Sequence, residues 1–259
     1  MDNPGEIAGH IGTPLTSNAT KVLLLGSGEL GKQLAMSFQN LGLEVHAVDS
    51  YAGAPAHQVA QYSYVADIKD AGRILQLAQE IQPHFVVPEV ETVAVEALEE
   101  MEAHSDAIVV PSARACAMTQ DRQCVREVAE NIGLPVSAYR FASSVEELEE
   151  AVGELGFPCI IKPDVSTSGK GHMIARDEED VRTAWETVRR VSSDSQRVVA
   201  ERFVDFDLEV TLLAIRSIDP ATGKRFVGEI FNLIPKKNSK TTNAAALGLI
   251  ALLMNRRPN

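Results

Sequence analysis

The sequence predicts an α/β protein in which an open parallel sheet is followed by a region of α+β type. From residue 21 to about residue 111, short apolar segments alternate with segments of helical period, which is typical of a parallel sheet. A glycine-rich turn, Gly26–Gly31, directly follows the first apolar segment. Beyond it the alternation changes, and two extended segments enclose a loop of small residues at 166–172. We therefore expect two regions that meet at about 112–120.

The first region is expected to contain four strands and three helices. Short, continuous apolar runs are typical of strands that are buried on both faces. Amphipathic segments with a repeat of 3.6 residues are typical of the helices that cover such a sheet. In chain order, the strands lie at 21–25, 43–49, 84–88 and 107–111, and the helices at 32–41, 69–82 and 91–104.

The second region is expected to pair its strands antiparallel. Ser144 and Glu147 have the spacing of a capping box at the start of an amphipathic helix. An acidic link joins the last two extended segments. The helices lie at 119–132, 144–155 and 178–191, and the extended segments at 134–139, 158–163, 171–175, 196–201 and 207–215.

These patterns divide the chain into four parts. Residues 1–20 are predicted to be a loose leader, 21–115 the first domain, 116–231 the second domain, and 232–259 an atypical tail. The tail carries five basic residues and no acid, whereas residues 1–231 carry 19 basic and 36 acidic residues. An apolar run at 244–254 is too short to span a bilayer, so we expect a marginal helix or an exposed apolar segment there.

Composition and charge exclude several classes of protein. A net charge of -12 argues against nucleic-acid binding, which needs a basic surface. No apolar run reaches eighteen residues and the first twenty show no signal-peptide pattern, so we expect neither a membrane span nor export. Three cysteines without a CxxC pair fit a reducing compartment, and we expect a cytoplasmic protein.

The turn Gly26–Gly31 has the pattern G-x-G-x-x-G between a strand and a helix. Asp49 lies 18 residues beyond Gly31, at the end of the next strand, which is the context of a dinucleotide site that binds NAD. The alternative is a more general anion site at a helix N-terminus, with Glu29 facing a ligand that also carries a cation or hydroxyl groups. Gly28 is expected to allow close approach of the ligand, in a turn that favours positive φ.

Glu89 follows the strand at 84–88, at its carboxyl end. Ligands of open α/β sheets bind outside these strand ends, so Glu89 could share a crevice with Gly28 and Glu29. Its carboxylate would suit an ammonium group or ribose hydroxyls. The alternative is a solvated helix start, stabilised by the helix dipole.

Lys162 ends an apolar strand, and a second lysine lies between two glycines in the loop that follows. Small side chains allow such a loop to close on phosphates, and lysines neutralise them. The spacing differs from that of a P-loop. A surface turn beside a strand-end lysine is the alternative interpretation. The candidate phosphate-binding loop residues are Thr167, Ser168, Gly169, Lys170, Gly171 and His172.

Two further segments could bind the rest of a nucleotide. Arg122 opens a helix and could contact a phosphate, or it could be a solvated arginine. The segment Glu201–Glu209 joins two strands, and its backbone and carboxylates could hold an adenosine. An ordinary acidic hairpin loop is the alternative. The candidate residues here are Glu201, Arg202, Phe203, Val204 and Glu209.

Together these segments resemble the ATP-grasp superfamily and, within it, the formate-dependent phosphoribosylglycinamide formyltransferases. The resemblance runs collinearly from about residue 20 to about residue 216, and the combination of GSGELG, VPEVE and SGKGH is its most specific part. The matching segments are 22–33, 47–60, 83–91, 111–115, 157–163, 166–172 and 201–213.

The resemblance implies a Rossmann-like pre-ATP-grasp domain and a partial ATP-grasp domain that join ATP, formate and glycinamide ribonucleotide in purine biosynthesis. ATP would phosphorylate formate, and the ribonucleotide amine would attack the formyl phosphate. By motif, Glu29, Leu30 and Glu89 would contact the ribonucleotide. Arg122, Lys162, the 167–172 loop, Glu201–Val204 and Glu209 would bind ATP. Another ATP-grasp ligase or carboxylase of purine synthesis and an NAD-binding module are the alternatives, and a homodimer is left open.

The family also carries two Mg²⁺-binding glutamates in a C-terminal part that has no counterpart in this sequence. The resemblance fades near Ser217, and no acid follows Glu229. ATP and Mg²⁺ are therefore the implied cofactors, but we expect no metal ligand in this chain. The interpretation made from the sequence is a truncated or frame-shifted product whose activity is doubtful.

Overall fold

The computed structural model describes residues 11–164, 171–191, 197–207, 210–215 and 230–235. They form two compact units. The first unit extends to Cys116 and includes the strands after residue 209, and the second is Ala117–Asp207. The leader residues 1–10, the loop residues Thr167, Ser168, Gly169 and Lys170, Glu209 and the apolar run at 244–254 lie outside the described residues.

The first unit contains a five-stranded parallel sheet in the order β3-β2-β1-β4-β5. The chain leaves β1 toward β2 on one side and later returns to β4 on the other side, so the direction of the strand order changes between β1 and β4. The strands are β1 Lys21–Leu25, β2 Glu44–Asp49, β3 Tyr62–Val65, β4 Phe85–Pro88 and β5 Ile108–Val109. The helices are α1 Glu29–Asn40, α2 Ala71–Ile81 and α3 Val95–His104, with a 3₁₀ turn at Pro55–Gln58, and α4 Ala113–Gln120 contains the boundary between the units.

Both faces of this sheet are covered, which explains the continuous apolar run of β1. Val22 and Leu24 pack into a cluster with residues of α1, whereas Leu23 and Leu25 pack into a second cluster with residues of α2 and α3. All four side chains are fully buried. Burial of this kind contributes roughly 1.5–3 kcal/mol for each large apolar side chain. The predicted open parallel sheet is confirmed.

The second unit contains a four-stranded antiparallel sheet in the order β6-β9-β7-β8. One face of this sheet packs on α6 and α7 through a single apolar cluster. The strands are β6 Tyr139–Ala142, β7 Cys159–Pro163, β8 Met173–Ala175 and β9 Val198–Arg202, and the helices are α5 Arg122–Asn131, α6 Val145–Leu155 and α7 Glu178–Val191. The predicted antiparallel pairing is confirmed.

Three predictions about local structure need correction. The single helix expected at 119–132 is two helices, because the Asp121 carboxylate caps α5 by accepting hydrogen bonds from the N–H groups of Gln123 (2.7 Å) and Cys124 (3.2 Å). Ser144 does cap α6, but the Glu147 carboxylate accepts from the Ser143 N–H at 2.7 Å rather than from Ser144. The extended segment expected at 134–139 forms a strand only from Tyr139 onward.

Two strands were absent from the sequence interpretation. Strand β3 is a mostly exposed edge strand that, within the described part of the chain, pairs with β2 alone. A separate antiparallel pair joins β10 Val210–Ile215 to β11 Ile230–Pro235. Strand β11 begins before residue 232 and ends inside the segment that was interpreted as a tail.

A buried polar network surrounds His46 on β2. The Nε2 atom of His46 lies 2.9 Å from the Glu44 carboxylate, and Nδ1 lies 3.0 Å from the Tyr64 hydroxyl. The Glu44 carboxylate also accepts a 2.6 Å hydrogen bond from the Leu15 N–H, which attaches the N-terminal segment to the sheet. A neutral imidazole can donate to Glu44 and accept from Tyr64, so both of its nitrogens are satisfied without a charge. Burial lowers the pKa of His46 below its ordinary value of 6.5.

We expect His46→Gln to flatten the acid limb of the stability curve. The folded chain binds a proton at His46 less readily than the unfolded chain, so stability falls as the pH falls below about 6.5. The slope is at most about 1.4 kcal/mol per pH unit for this one proton. Urea unfolding at about pH 7.5 and at about pH 5 measures this change in stability. Both values lie about one unit or more from 6.5. His104→Gln, at an exposed site on α3, is the matched control, and equal slopes for the parent and His46→Gln contradict the expectation.

Candidate functional site

The sheet of the second unit carries a polar cluster on the face opposite to α6 and α7. In β7, Cys159 and Ile161 point into the apolar cluster, so Lys162 points to the other face. In β9, Val198 and Ala200 point into the cluster, so Glu201 shares the face of Lys162. The strand register pairs Lys162 with Val199, two residues before Glu201, which makes the two charged residues diagonal neighbours.

The Glu201 carboxylate is bound by two cations. The Lys162 ammonium contacts one oxygen, and the Arg126 guanidinium contacts the other. The side chains of Lys162, Arg126 and Glu201 are only 17%, 14% and 11% exposed. Arg126 also donates a 2.8 Å hydrogen bond to the carbonyl of Arg122, one turn earlier in α5. We call Arg122, Arg126, Lys162 and Glu201 the basic cluster.

Positive charge exceeds negative charge in the basic cluster, and this changes the pKa of its members. Burial and then the positive charges of Arg126 and Arg122 lower the pKa of Lys162 to about 8. Burial, then Lys162 and Arg122, lower the pKa of His172, which precedes β8. One carboxylate cannot neutralise these cations, so the cluster favours an anionic ligand.

A second network holds the beginning of the 165–170 loop. Asp164 follows β7 directly, and its Oδ2 accepts hydrogen bonds from Nε (3.1 Å) and Nη2 (2.9 Å) of Arg197. Nη1 of Arg197 donates to the Gln123 side chain at 3.1 Å, and the guanidinium lies 4.8 Å from the centre of the Phe141 ring. This network ties the end of β7 to α5 and to the start of β9.

The backbone of the segment at the end of β9 makes only part of its possible hydrogen bonds. The N–H of Arg202 donates to the Ala138 carbonyl at 2.9 Å, and the N–H of Phe203 donates to the Pro158 carbonyl at 3.2 Å. The Arg202 carbonyl accepts from the Ser137 hydroxyl at 2.8 Å. Among the described residues, the Phe203 carbonyl and the Val204 N–H have no hydrogen-bond partner. A groove of about 390 Å³ lies beside this segment, lined by Phe157, Pro158, Ile174, Arg176 and Phe203.

In the first unit, hydrogen bonds from neighbouring residues of the same chain stabilise the glycine-rich turn. The Asp49 carboxylate accepts a 2.8 Å hydrogen bond from the Ser27 N–H and a 2.7 Å bond from the Ser50 N–H. The Ser27 hydroxyl donates to the Val48 carbonyl at 3.0 Å. Asp49 therefore stabilises the turn, and its oxygens are engaged where the NAD interpretation needs them for a ribose.

The turn leads into the open N-terminus of α1. Gly28 is the N-cap and provides no side-chain cap, and the first helical bond recorded there is from the Lys32 N–H to the Gly28 carbonyl, at 2.9 Å. A Cβ on Gly28 would meet no atom within 4 Å. The positive φ expected in this turn lies at Gly26, where it is 107°, whereas Gly28 has a φ of −66°. The amides at the start of α1 are thus accessible to a ligand anion.

Glu89 lies beside this turn. Leu25 pairs with Pro88 in the sheet, and the Glu89 N–H donates to the Leu25 carbonyl at 2.8 Å. Its carboxylate lies so close to Gly26 that a Cβ there would be 2.7 Å from Oε2. Burial, then Glu91 and Asp49, raise the pKa of Glu89.

The other two predicted residues of the first unit differ in exposure. Glu29 is exposed, whereas the Leu30 side chain packs against the apolar cluster of α1, which leaves Leu30 only its backbone for a ligand.

The structure thus brings the predicted residues together in two groups, one in each unit. The group in the second unit contains Arg122, Lys162, His172 and Glu201. The group in the first unit contains Glu29, Leu30 and Glu89. Sequence reasoning missed Arg126, Asp164 and Arg197. Arg126 lies four residues after Arg122 on one helix face, a spacing that could have indicated it.

No described helix is long and apolar enough to cross a membrane. No group of three or more His, Cys, Asp or Glu side chains among the described residues could hold a metal ion.

Two family models match this chain. Residues 19–120 match the ribonucleotide synthetase preATP-grasp domain, and residues 127–241 match the ATP-grasp domain. Together the two matches cover most of the chain.

Two curated relatives illustrate the sequence similarity. The formate-dependent phosphoribosylglycinamide formyltransferase of Corynebacterium glutamicum (strain R) is 50% identical over 216 residues, which are 83% of this chain and 53% of the relative. The protein of the same name from Herminiimonas arsenicoxydans is 46% identical over 235 residues, which are 89% of this chain and 58% of the relative. The chain therefore spans about half the length of the curated relatives that it matches.

Solved structures agree in fold. The glycinamide-RNase-transformylase T of Mycobacterium tuberculosis superposes with a TM-score of 0.62 at 28% identity, over 91% of this chain and 66% of that chain. An ADP complex of N5-carboxyaminoimidazole ribonucleotide synthetase superposes with a TM-score of 0.69 at 25% identity, over 95% of this chain and 64% of that chain.

Proposed function

This chain belongs to the ATP-grasp superfamily, and we propose that it acts in the ATP-dependent transfer of formate to the amine of glycinamide ribonucleotide. The observation that carries the proposal is the basic cluster: Lys162 and Arg126 bind the single carboxylate of Glu201, and Arg122 adds a third positive charge near Lys162, which ends the strand that leads into the small-residue loop. A polyphosphate supplies the negative charge that this cluster lacks. The sequence relatives with the name of this activity support the choice of reaction.

ATP would lie along the face of the second sheet that carries Lys162. Lys162 and Arg122 would neutralise phosphates, and the loop that contains Thr167, Ser168, Gly169, Lys170, Gly171 and His172 would close on them. The Phe203 carbonyl and the Val204 N–H form an acceptor and donor pair suited to the edge of an adenine. Glu209 would bind the ribose hydroxyls.

The ribonucleotide would bind in the first unit. Its phosphate would accept hydrogen bonds from the N–H groups at the start of α1, including those of Glu29 and Leu30. Gly28 leaves the space for this approach. The Glu89 carboxylate, at the neighbouring strand end, would bind an amine or ribose hydroxyls of the same ligand.

The reaction needs placement and charge neutralisation more than a nucleophile from the protein. A formate oxygen would attack the terminal phosphoryl group of ATP, giving formyl phosphate and releasing ADP. The ribonucleotide amine would then attack the carbonyl of formyl phosphate, lose a proton and release inorganic phosphate. Lys162 and Arg122 would stabilise the negative charge during the first step.

Mg²⁺, which the family implies, does not fit the described residues. Glu201 is bound by two cations. Asp164 binds Arg197 through Oδ2 and leaves Oδ1 without a hydrogen-bond partner, but no group of three or more ligating side chains lies among the described residues. No step above is therefore assigned to a metal ligand of this chain.

Two alternatives remain as outcomes of the test. The fold similarity to N5-carboxyaminoimidazole ribonucleotide synthetase favours a ligase that uses a different one-carbon acid and a different ribonucleotide. The engagement of Asp49 with Ser27 disfavours an NAD-binding module. The homodimer and the cytoplasmic location stay predictions.

Calorimetric titration of this chain with ATP, glycinamide ribonucleotide and NADH tests the proposal. We expect binding of ATP and of glycinamide ribonucleotide and no binding of NADH. Aminoimidazole ribonucleotide serves as the control ligand. Preference for that compound would replace the formyl-transfer assignment by the carboxylase-type one, and binding of NADH without ATP would overturn both.

A further inference from the structure

Arg126 is not among the residues that the sequence motifs indicate, yet its guanidinium contacts the carboxylate of the basic cluster. It lies on α5, outside the sheet, and its guanidinium reaches the Glu201 oxygen that Lys162 does not contact. It is fixed from behind by its hydrogen bond to the Arg122 carbonyl at 2.8 Å and lies 5.3 Å from the centre of the Tyr139 ring. An arginine that is held at two points is placed to orient another group.

Without a ligand, Lys162 is engaged with Glu201 and so is not available to phosphate. Removal of a lysine from a buried carboxylate leaves that carboxylate without a partner, which is costly. Arg126 removes this cost, because it remains on Glu201 when Lys162 leaves. We propose that Arg126 is a positioning residue of the nucleotide site: it holds Glu201 so that Lys162 can exchange this carboxylate for an ATP phosphate. The inference rests on the proposed function only in naming ATP as the anion.

The charges around Lys162 support the exchange. Arg126 is one of the two arginines that repel the Lys162 ammonium, and their effect adds to that of burial in lowering the pKa of Lys162 to about 8. A proton on Lys162 is needed for phosphate binding, so ATP affinity should decline as the pH rises through about 8. Loss of Arg126 should move this decline to higher pH. The titratable or charged groups around Lys162 are Arg122, Arg126, Tyr139, Asp164, His172 and Glu201.

A double-mutant cycle between Arg126 and Glu201 tests the proposal. Near neutral pH, we expect Arg126→Gln to weaken ATP binding by about tenfold, since Glu201 then holds Lys162 alone. In the Glu201→Gln background, where no carboxylate competes, Arg126→Gln should change ATP affinity by less than about twofold. Arg126→Lys should recover most of the loss. Arg182→Gln, which removes an arginine from the exposed pair with Glu149, is the matched control.

Three results would overturn the proposal. If Arg126→Gln weakens ATP binding to a similar extent in both backgrounds, Arg126 is a direct phosphate ligand. A lower melting temperature together with an unchanged pH midpoint of ATP affinity would make it a structural residue. If the parent chain does not bind ATP, a carbon NMR titration of Lys162 without any nucleotide tests the coupling between Arg126 and Lys162 instead. The Lys162 midpoint must rise in Arg126→Gln, and an unchanged midpoint rejects the coupling independently of the proposed function.

Discussion

Lys162→Ala is expected to weaken ATP binding by roughly 10- to 100-fold and to leave the binding of glycinamide ribonucleotide unchanged. Loss of one charge-assisted contact to phosphate costs about 1.5–3 kcal/mol, and each 1.4 kcal/mol is about tenfold in affinity. The fold should survive the change, because Arg126 still binds the Glu201 carboxylate. The pH dependence should change as well: the parent loses affinity as the pH rises through about 8, and the variant should lack that step.

Calorimetry at matched ionic strength measures both effects. Lys69→Ala, at an exposed position of the first unit, removes the same charge far from β7 in the sequence and is the control. Equal ATP dissociation constants for Lys162→Ala and the parent would remove Lys162 from the nucleotide site. An equal loss in the Lys69→Ala control would show that the effect is one of net charge.

The parallel sheet of the first unit could be predicted from the sequence because its strands are buried on both faces. β1 and β4 each appear as a continuous apolar run, since helices cover both sides of the sheet, whereas β2 also carries Glu44 and His46, which bind each other. β3 lies at the edge with mostly exposed side chains, and its sequence lacks this run. An edge strand is defined by its neighbour β2 more than by its own residues, so a sequence pattern could not indicate it.

The candidate site could be predicted only where a local motif exists. Lys162 and Glu201 end apolar strands and could be found in this way. Arg197 gave no such signal, because its role depends on Gln123, which is 74 residues away in the sequence. Contacts of this kind depend on the order of strands in the sheet, which the sequence interpretation of the second region did not establish.

The glycine-rich turn shows a different limit, because the motif was recognised but left two interpretations open for Asp49. Asp49 has the spacing of a ribose-binding acid, yet its carboxylate closes the turn through Ser27. Spacing locates a side chain at the strand end but does not determine whether it points to a ligand or back to the chain. The amide that Asp49 engages is one that a dinucleotide phosphate would otherwise approach, so this detail favours a ligand bound only at the start of α1.

Gly26→Ala is expected to destabilise the first unit by about 2–5 kcal/mol. Gly26 has a φ of 107°, and residues other than glycine adopt such a backbone conformation at a cost of about 1–3 kcal/mol. An added Cβ would also lie 2.7 Å from a Glu89 carboxylate oxygen and 2.8 Å from Val90 Cγ1, and such overpacking costs about 1–3 kcal/mol. The Glu89 side chain would have to move, so the variant should also bind the ribonucleotide more weakly.

Gly28→Ala provides the matched control, two residues away in the same turn. Gly28 has a φ of −66°, and an added Cβ would meet no atom within 4 Å, so the free energy of unfolding should fall by only about 1 kcal/mol or less, because alanine is a poorer N-cap than glycine. The methyl group would instead occupy the space in front of the α1 amides and weaken ribonucleotide binding. Urea unfolding and calorimetry separate the two variants, because Gly26→Ala should lower stability much more than Gly28→Ala, whereas both should lower affinity. A Gly26→Ala protein as stable as the parent would show that the turn can relax. Full ribonucleotide affinity in Gly28→Ala would place the ligand phosphate elsewhere.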